Sequence, residues 1–374
     1  MIRLTTRFLD NVIDSNKYPV AEIDIASKLT RRIGLGIMGL ADLFYLMKIP
    51  YNSKQGYEFM SKLAEALSYY SMEESVQIAR NKGAFPLFNE SDYVYGKIPI
   101  AGYYEIPKQQ HSYDWDSLID KIMRFGMRNS QTTTVAPTGT LSMIADTSNG
   151  VEPLFGLVYE KRVTVGRFFY TDKVFESVLR EYGLYSDDLL ERISQNYGSV
   201  RGLDGIPEWM QRVFVTAIDV HWADHLMAQA VWQKWVSNAI AKTINMPNDV
   251  TAEDVKCSYL LSHELGLKGV TVYRDGSRHQ QVLHIASDSK EKRFEVVPSD
   301  YVVDYISNNI KDEFVYKEVQ KAIKAGEKQE YVRKALLPHA ETNEEPCPVC
   351  NGRIAYIEGC NCCIECGWSS CVSG

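Results

Sequence analysis

A run of β-branched residues leads into a loop with Pro and Gly and then into a short apolar helix at residues 131–155. Such a strand-to-helix step is typical of α/β proteins. Pro137 at the first helical position would have its φ already set, and Gly139 would let a ligand approach the backbone closely. The first-turn N–H groups could hold an anion, with the hydroxyls of Thr138, Thr140 and Ser142 as further donors.

The pattern therefore predicts a phosphate-binding loop that lacks a lysine and holds a nucleotide rather than cleaving it. An ordinary strand–turn–helix corner is the alternative interpretation. The predicted phosphate contacts are Ala136, Pro137, Thr138, Gly139, Thr140 and Leu141.

The composition narrows the class of protein. The chain has 374 residues, of which 45% are hydrophobic, and a net charge of −7, which argues against broad nucleic-acid binding. No apolar run of about 18 residues and no signal-peptide pattern are present. Seven of the eight cysteines lie in the last 28 residues, which suits metal or thiol chemistry in a reducing compartment. We expect a cytoplasmic protein with no membrane and no nucleic-acid partner.

Helix-like and strand-like patterns alternate through residues 1–286, which predicts an α/β domain. Helices are expected from near Ser53 to before Gly83, over 116–125, over about 223–239 and over 252–265, with Thr251 and Asp254 capping the last. Strands are expected at 242–246 and, buried, at 269–273. Residues 287–344 are charged, with helical patterns near 302–310 and 314–323, and predict a loosely packed connector. Residues 345–374 form a separate Cys-rich tail.

The tail contains paired C-x-x-C units, which place four thiolates within tetrahedral reach of a zinc ion. The predicted zinc ligands are Cys347, Cys350, Cys363 and Cys366. The alternative is a purely redox tail in which these cysteines exchange disulfides.

Other candidate residues favour structural roles. Gly34, Gly36 and Gly39 satisfy a dinucleotide fingerprint formally, but the segment before them does not have a strand pattern and no acidic residue follows at the required distance. Cys257 within a helix is expected to be a core residue. Adjacent Tyr69 and Tyr70 favour aromatic packing over a radical relay. His221, His225 and His263 lack metal-ligand partners in the pattern and are expected at surface or core positions.

Taken together, several segments resemble the adenosylcobalamin-dependent (class II) ribonucleotide reductases. The resemblance covers most of residues 1–285 and 345–374. The motifs that carry it, besides the loop and Ser148–Pro153, are IGLGIMGLADL at 33–43, KTINMP at 242–247, GLKGVTVYRDGSR at 266–278 and the Cys-rich tail.

The resemblance implies the second half of a ten-stranded α/β barrel, followed by a small zinc-ribbon-like module. It implies reduction of ribonucleotides to deoxyribonucleotides through a thiyl radical that adenosylcobalamin initiates, with Zn²⁺ in the tail. Gly34–Gly39 would form a closely packed glycine-rich helix. Val272 before Tyr273 replaces the first tyrosine of the pair that relays a radical in class I enzymes, which favours cobalamin.

In the family, a tail cysteine pair re-reduces the active site and is itself reduced by thioredoxin or a similar dithiol. Cys360 and Cys371 occupy matching positions, Cys366 with Cys371 is a competing pair, and Cys362 is a further candidate. The sequence leaves open whether the substrate is a diphosphate or a triphosphate.

The family's radical-loop cysteine motif is absent from this sequence. The resemblance therefore implies a partner, an N-terminal reductase half that carries that cysteine, without which this chain should not reduce nucleotides. A half-barrel would expose strand edges and apolar surface. The alternative functions are a noncatalytic nucleotide-binding protein that retains the zinc ribbon and, less favoured by the charge, a nucleic-acid adaptor.

Overall fold

The computed structural model describes residues 1–163, 166–277 and 296–326, and the tail strand segments 342–343, 354–357, 360–363 and 369–371. The helices, in chain order, are α1 Ile2–Ser15, α2 Ala21–Thr30, α3 Leu40–Met47, α4 Lys54–Lys82, α5 Ala101–Glu105, α6 Trp115–Phe125, α7 Gly139–Ala145, α8 Lys173–Glu181, α9 Asp187–Gln195, α10 Glu208–Val213, α11 Trp222–Trp235, α12 Ala252–Glu264, α13 Asp300–Asn309 and α14 Glu313–Gly326. The strands are β1 Val158–Val163, β2 Gly166–Thr171, β3 Thr243–Met246, β4 Thr271–Arg274, β5 Thr342–Asn343, β6 Ile354–Ile357, β7 Cys360–Cys363 and β8 Ser369–Cys371.

Parallel backbone pairing runs across the main body. Leu35 pairs with Thr133, Val135 pairs with Ile240, and β3 pairs with β4, all in the parallel sense. The extended segments around these residues therefore lie side by side in the order 33–35, 131–135, 238–246 and 271–274. Helices connect successive segments, as parallel strands require. The predicted α/β character is confirmed.

The buried apolar side chains form two clusters, a larger and a smaller core. The larger is centred on α4, α6 and α11, whose bulkiest buried side chains include Trp115, Trp232 and Trp235. The smaller is formed by α8, α9 and α10 with Phe175 and Phe214, and α3 contributes Tyr45 to it. The β1–β2 hairpin joins this second core through Val158.

The helix predictions near residue 53 and over 116–125 and 252–265 agree with α4, α6 and α12. Thr251 and Asp254 form the predicted capping box, with Asp254 N donating to Thr251 Oγ1 at 3.2 Å. The predicted helix 223–239 was too long. It ends at Trp235, because the chain then extends and Asn238 N donates to Thr133 O at 3.0 Å.

The glycine-rich segment is not a helix, contrary to the prediction. Residues 33–39 contain no helix: Leu35 pairs with Thr133, Gly39 is left-handed just before α3, and a Cβ built on Gly36 would lie 2.6 Å from Thr134 O. The glycines therefore allow close backbone pairing with the neighbouring segment. The segment 269–273 was predicted to be buried, but Gly269 and Thr271 are exposed and Val272 and Tyr273 are only half-buried, because β4 is the outermost described strand of this sheet.

The segment predicted as a loosely packed connector holds helices that belong to the core. Val302 and Ile306 of α13 and Val319 of α14 are fully buried in the larger core. Composition underestimated this packing because it does not register that the buried apolar residues recur at helical spacing, as Val302 and Ile306 of α13 and Val315, Val319 and Ala322 of α14 do.

The tail strands form an antiparallel sheet in the order β5-β6-β7-β8. Its register sets Cys360 opposite Cys371 and Cys362 opposite Ser369. Cys347, Cys350 and Cys366 lie outside the described residues, so the described backbone includes Cys363 alone among the predicted zinc ligands.

Candidate functional site

The predicted phosphate loop lies where the segment 131–135 ends, at the carboxyl edge of the parallel pairing. Ligands of open α/β sheets characteristically bind at that edge. Ala136, Pro137, Gly139 and Thr140 are exposed, and Leu141 is 55% exposed. The loop is therefore open to a ligand.

The backbone conformation of the loop differs in detail from the prediction. α7 begins at Gly139 rather than at Pro137, because Thr138 takes a left-handed conformation with φ of 50°. A left-handed residue cannot continue a right-handed helix, so Thr138 becomes the residue that precedes the first turn.

Thr138 does not cap α7. Its hydroxyl instead accepts a hydrogen bond from Gly150 N at 2.8 Å, which ties the loop to the segment after α7. The first-turn N–H groups of α7 are left without intrahelical acceptors. Because Thr138 Oγ1 accepts that bond, its own proton remains available to a ligand.

The hydroxyls of Thr138, Thr140 and Ser142 were expected to be further donors to a ligand, but Ser142 is not placed to act as one. Ser142 is buried and its hydroxyl donates to Gly139 O at 3.0 Å, so it supports the turn rather than facing a ligand. Thr140 is exposed, as a ligand contact would require. A Cβ built on Gly139 would meet nothing within 4 Å, which leaves open space over the backbone there.

The segment after α7 is fixed by a carboxylate on each side. Asp42 Oδ2 accepts from Ser148 N at 2.8 Å, and Glu152 Oε1 accepts from Thr243 N at 2.7 Å. Glu152 thus bonds the return segment to the start of β3. Sequence reasoning gave Glu152 no role, since a bond to a backbone N–H far along the chain has no sequence signal.

A buried lysine lies beside this contact. Lys242 Nζ is 2.5 Å from His225 Nδ1, and His225 Nε2 is 2.7 Å from Ala217 O. Since the Ala217 carbonyl can only accept, Nε2 carries the imidazole proton and Nδ1 accepts from the ammonium. Burial lowers the pKa of Lys242 to about 8, opposed by the nearby carboxylate of Glu152. Burial and the Lys242 charge hold the pKa of His225 well below its usual range.

The remaining residues that the sequence singled out have structural environments. Cys257 is buried, and burial raises the pKa of its thiol to about 12, which suits a core residue rather than a nucleophile. Tyr69 and Tyr70 pack in an aromatic cluster. His225 is in the core and His263 is on the surface, as expected.

The part of the chain that the structure describes contains neither a metal-binding cluster nor a membrane-spanning helix. Within the ranges given above, His, Cys, Asp and Glu side chains form no group of three or more that could hold a metal ion. In those same ranges, no helix is both long and apolar enough to cross a membrane.

Comparison with known proteins gives this geometry a family context. Residues 1–273 match the family model described as ribonucleotide reductase, barrel domain. The vitamin B12-dependent ribonucleoside-diphosphate reductase of Thermoplasma acidophilum is 37% identical over 77% of this chain and 34% of its own length. The enzyme of the same name from Mycobacterium tuberculosis H37Rv is 35% identical over 76% of this chain and 36% of its own length.

A solved structure shares the fold. The Actinobacillus ureae class Id ribonucleotide reductase alpha subunit superposes with a TM-score of 0.58 at 21% identity, covering 74% of this chain and 46% of that one. The chain spans only about a third of the length of the curated relatives named above. On the family match and these identities, the chain belongs to the ribonucleotide reductases, as part of their barrel domain.

Proposed function

We propose that this chain supplies the substrate-phosphate loop and the C-terminal thiols of a vitamin B12-dependent ribonucleotide reductase. The observation that carries the proposal is the exposed loop at the carboxyl edge of the parallel pairing, inside the region that matches the reductase barrel. The identity to enzymes named as vitamin B12-dependent ribonucleoside-diphosphate reductases supports both the cofactor class and a diphosphate substrate.

In this proposal the first-turn N–H groups of α7 and the hydroxyls of Thr138 and Thr140 hold the substrate phosphates. The bond from Gly150 N to Thr138 and the bond from Thr243 N to Glu152 hold the loop against its neighbours before the ligand arrives. Preorganised donors lose little conformational entropy on binding, so the rigid loop favours both affinity and orientation.

Adenosylcobalamin would supply the organic radical when bound. This chain's contribution to its site would be the exposed apolar side chains of α7, Leu141, Met143 and Ile144, which are 55%, 70% and 84% exposed. Large exposed apolar groups beside a polar loop suit a surface that a large ligand or another protein segment covers.

The thiol tail would return electrons to the site. The register that sets Cys360 opposite Cys371 supports this pair, because residues directly opposite in antiparallel strands have the Cα spacing that a disulfide needs. Thioredoxin or a similar dithiol would reduce the pair. The thiyl cysteine would come from an N-terminal reductase half, as a partner or as a further part of the same protein.

Zinc is proposed for Cys347, Cys350, Cys363 and Cys366, because four thiolates in paired C-x-x-C units suit a tetrahedral structural site. Purified protein should then contain equimolar zinc, which Cys347→Ser should remove. Full zinc retention in that variant would contradict the assignment.

The deciding experiment is a nucleotide-reduction assay with adenosylcobalamin and a dithiol. It is run on this chain alone and on the chain mixed with a separately expressed reductase half that carries the radical-loop cysteine. Turnover only in the mixture supports the proposal. Nucleotide binding without turnover in any mixture would favour the noncatalytic binding protein instead.

A further inference from the structure

A continuous array of tyrosine and tryptophan rings runs from the interior of the molecule to its surface. Ring centroids lie 5.7 Å apart for Trp235 and Trp115, 5.3 Å for Trp115 and Tyr69, 4.7 Å for Tyr69 and Tyr113, and 5.1 Å for Tyr113 and Tyr70. The first and third of these pairs are stacked. These are the side chains that lose an electron most readily, apart from thiols, and neighbouring rings are in contact throughout.

The inner end of the array lies beside the strand that leads to the phosphate loop. Trp235 is 1% exposed, and its carbonyl accepts from Ser68 Oγ, which is 3.1 Å from Thr133 Oγ1. The outer end is half-buried at Tyr113 and Tyr70. The Arg3 guanidinium lies 4.8 Å from the centroid of the Tyr70 ring, where it disfavours additional positive charge. Tyr113 is therefore the preferred outer terminus.

Aromatic packing accounts for the rings, but it does not account for Glu65. This carboxylate is 2% exposed and has no salt-bridge partner among the described residues. It accepts from Trp115 Nε1 at 3.0 Å and from Ser112 N at 2.9 Å. The carboxylate is therefore hydrogen-bonded rather than ion-paired, and an apolar side chain in its place would leave the buried Trp115 Nε1–H without an acceptor.

A carboxylate on the indole N–H has a specific chemical consequence. Its negative charge stabilises the radical cation that forms when Trp115 loses an electron, and its oxygen can accept the indole proton. Glu65 therefore makes Trp115 the most easily oxidised residue in the interior part of the array.

We propose that Trp235, Trp115, Tyr69 and Tyr113 form a one-electron relay that carries oxidising equivalents from the interior to the surface. A thiyl or other organic radical takes one electron from Trp235 or Trp115 and is reduced, while the Trp115 Nε1 proton moves to Glu65. An electron then passes from Tyr113 through the stacked Tyr69 ring to Trp115, while the proton returns from Glu65 to Trp115 Nε1. Tyr113 then releases its hydroxyl proton to water, so the net change is one electron gained by the oxidant and one proton released.

This role goes beyond nucleotide reduction and is tested without it. Near-UV irradiation of the purified chain, with a cobalt(III) ammine complex as electron acceptor, removes electrons from tryptophan directly. Peptide mass spectrometry then measures oxidation at each tryptophan and tyrosine. In the double variant Tyr69→Phe/Tyr113→Phe the ring shapes are kept but the oxidisable phenols are lost. Oxidised Trp115 should rise several-fold over wild type.

The controls separate a relay from a general loss of packing. Tyr95→Phe alters a tyrosine that is 77% exposed and outside the array, and it should leave oxidation at Trp115 unchanged. Trp209, in the smaller core region, serves as an internal reference in every sample. Glu65→Gln keeps an acceptor for the indole N–H and removes the charge, and it should shift oxidation from Trp115 to Trp235. Equal oxidation of Trp115 in wild type and the double variant would overturn the relay.

Discussion

Gly139 and Gly269 provide a comparison at the scale of single residues. Both lie where an added Cβ would meet nothing within 4 Å, and neither has a positive φ. A side chain at either position should therefore be tolerated by the fold. The two glycines differ in their position: Gly139 is the first residue of α7, in the proposed phosphate loop, whereas Gly269 lies just before β4.

Gly139→Val should weaken nucleotide binding while leaving folding intact, because the branched side chain would occupy the space above the first-turn N–H groups. Hydrogen bonds to charged groups contribute roughly 1.5–3 kcal/mol, so losing one should weaken affinity at least about tenfold. Titration calorimetry with a ribonucleoside diphosphate measures the change, on the chain or on its complex with the other half. Gly269→Val is the matched control. Equal affinity in the two variants would remove Gly139 from the binding site.

The buried Lys242 should make the stability of the protein depend on pH, and a substitution at this position separates its contribution from that of the other titratable groups. Because its pKa falls from 10.5 to about 8 on folding, the charged lysine costs stability below pH 8, and the cost disappears as the pH rises toward 10.5. Lys242→Met should remove this dependence. From pH 8 to pH 10.5 the free energy of unfolding of wild type should rise by about 3 kcal/mol relative to that of the variant, at about 1.36 kcal/mol for each unit of pKa shift.

Urea unfolding of both proteins across that pH range makes the measurement. His225 and Glu152 are present in both proteins, so their contributions cancel in the comparison when the substituted methionine packs in the space of the lysine stem. Parallel pH profiles would mean that Lys242 is not buried as a charged group.

Among secondary-structure elements, α13 shows how a helix outside the barrel pattern is held. Ser299 precedes it without capping it. Its N–H and hydroxyl instead donate to the two carboxylate oxygens of Asp224 on α11, at 2.9 Å and 2.5 Å, and Tyr57 donates to the same group at 2.7 Å. Tyr301 packs on Tyr57 with ring centroids 5.1 Å apart. A polar anchor and an aromatic contact thus fix the start of α13 to the core.

Ser299→Ala should loosen α13 selectively, since the hydroxyl bond to a buried carboxylate is lost while the backbone bond remains. A bond to a charged group contributes roughly 1.5–3 kcal/mol, so exchange protection of α13 amides should fall by about that amount. Hydrogen exchange monitored by mass spectrometry gives the value. Ser307→Ala, on the exposed side of the same helix, is the control and should have little effect. Similar protection in both variants would show that Asp224 does not anchor the helix.

At the scale of the whole molecule, the fold leaves strand edges without a neighbouring strand and apolar side chains exposed to solvent. Among the described residues, neither the segment 33–35 nor β4 has a strand on its outer side. α1 buries Thr6 and Asp10 completely along with the apolar Ile13, while Leu4 and Phe8 are 67% and 63% exposed. Arg31 holds Asp10 at 2.8 Å, so the polar face is committed to the interior. Exposed apolar side chains so fixed suit cover by another protein segment. Under the function proposed above, that segment would be the N-terminal reductase half.

Phe8→Ser should therefore weaken association with that half. Burial of a Phe side chain contributes about 1.5–3 kcal/mol, so the dissociation constant should rise roughly tenfold or more. Sedimentation velocity of the mixed chains measures it. Phe314→Ser, at a position that is 60% exposed on α14, is the matched control. Equal effects of the two substitutions would mean that α1 is not the covered face.

The sequence alone determined the helices whose apolar residues recur at helical spacing, such as α4 and α6, and the capping box of α12. It also determined the family, because the loop at 136–141 and the motifs at 33–43 and 242–247 occur in one order. These signals are local, being set by spacing along the chain and by the conformations that Gly, Pro and Thr permit.

Tertiary structure decided the rest. α11 ends at Trp235 because its next residues pair with Thr133, and Leu35 pairs with Thr133 because Gly36 allows the two backbones to approach closely. Glu152 bonds Thr243, and Glu65 bonds Trp115, across separations of 91 and 50 residues. Such contacts depend on which distant segments become neighbours, and their energy comes from burial and pairing after the chain is compact. No local pattern carries that information, so a loop before a short helix at 136–141 could be expected from the sequence, while the groups that hold it, and the aromatic array, could not.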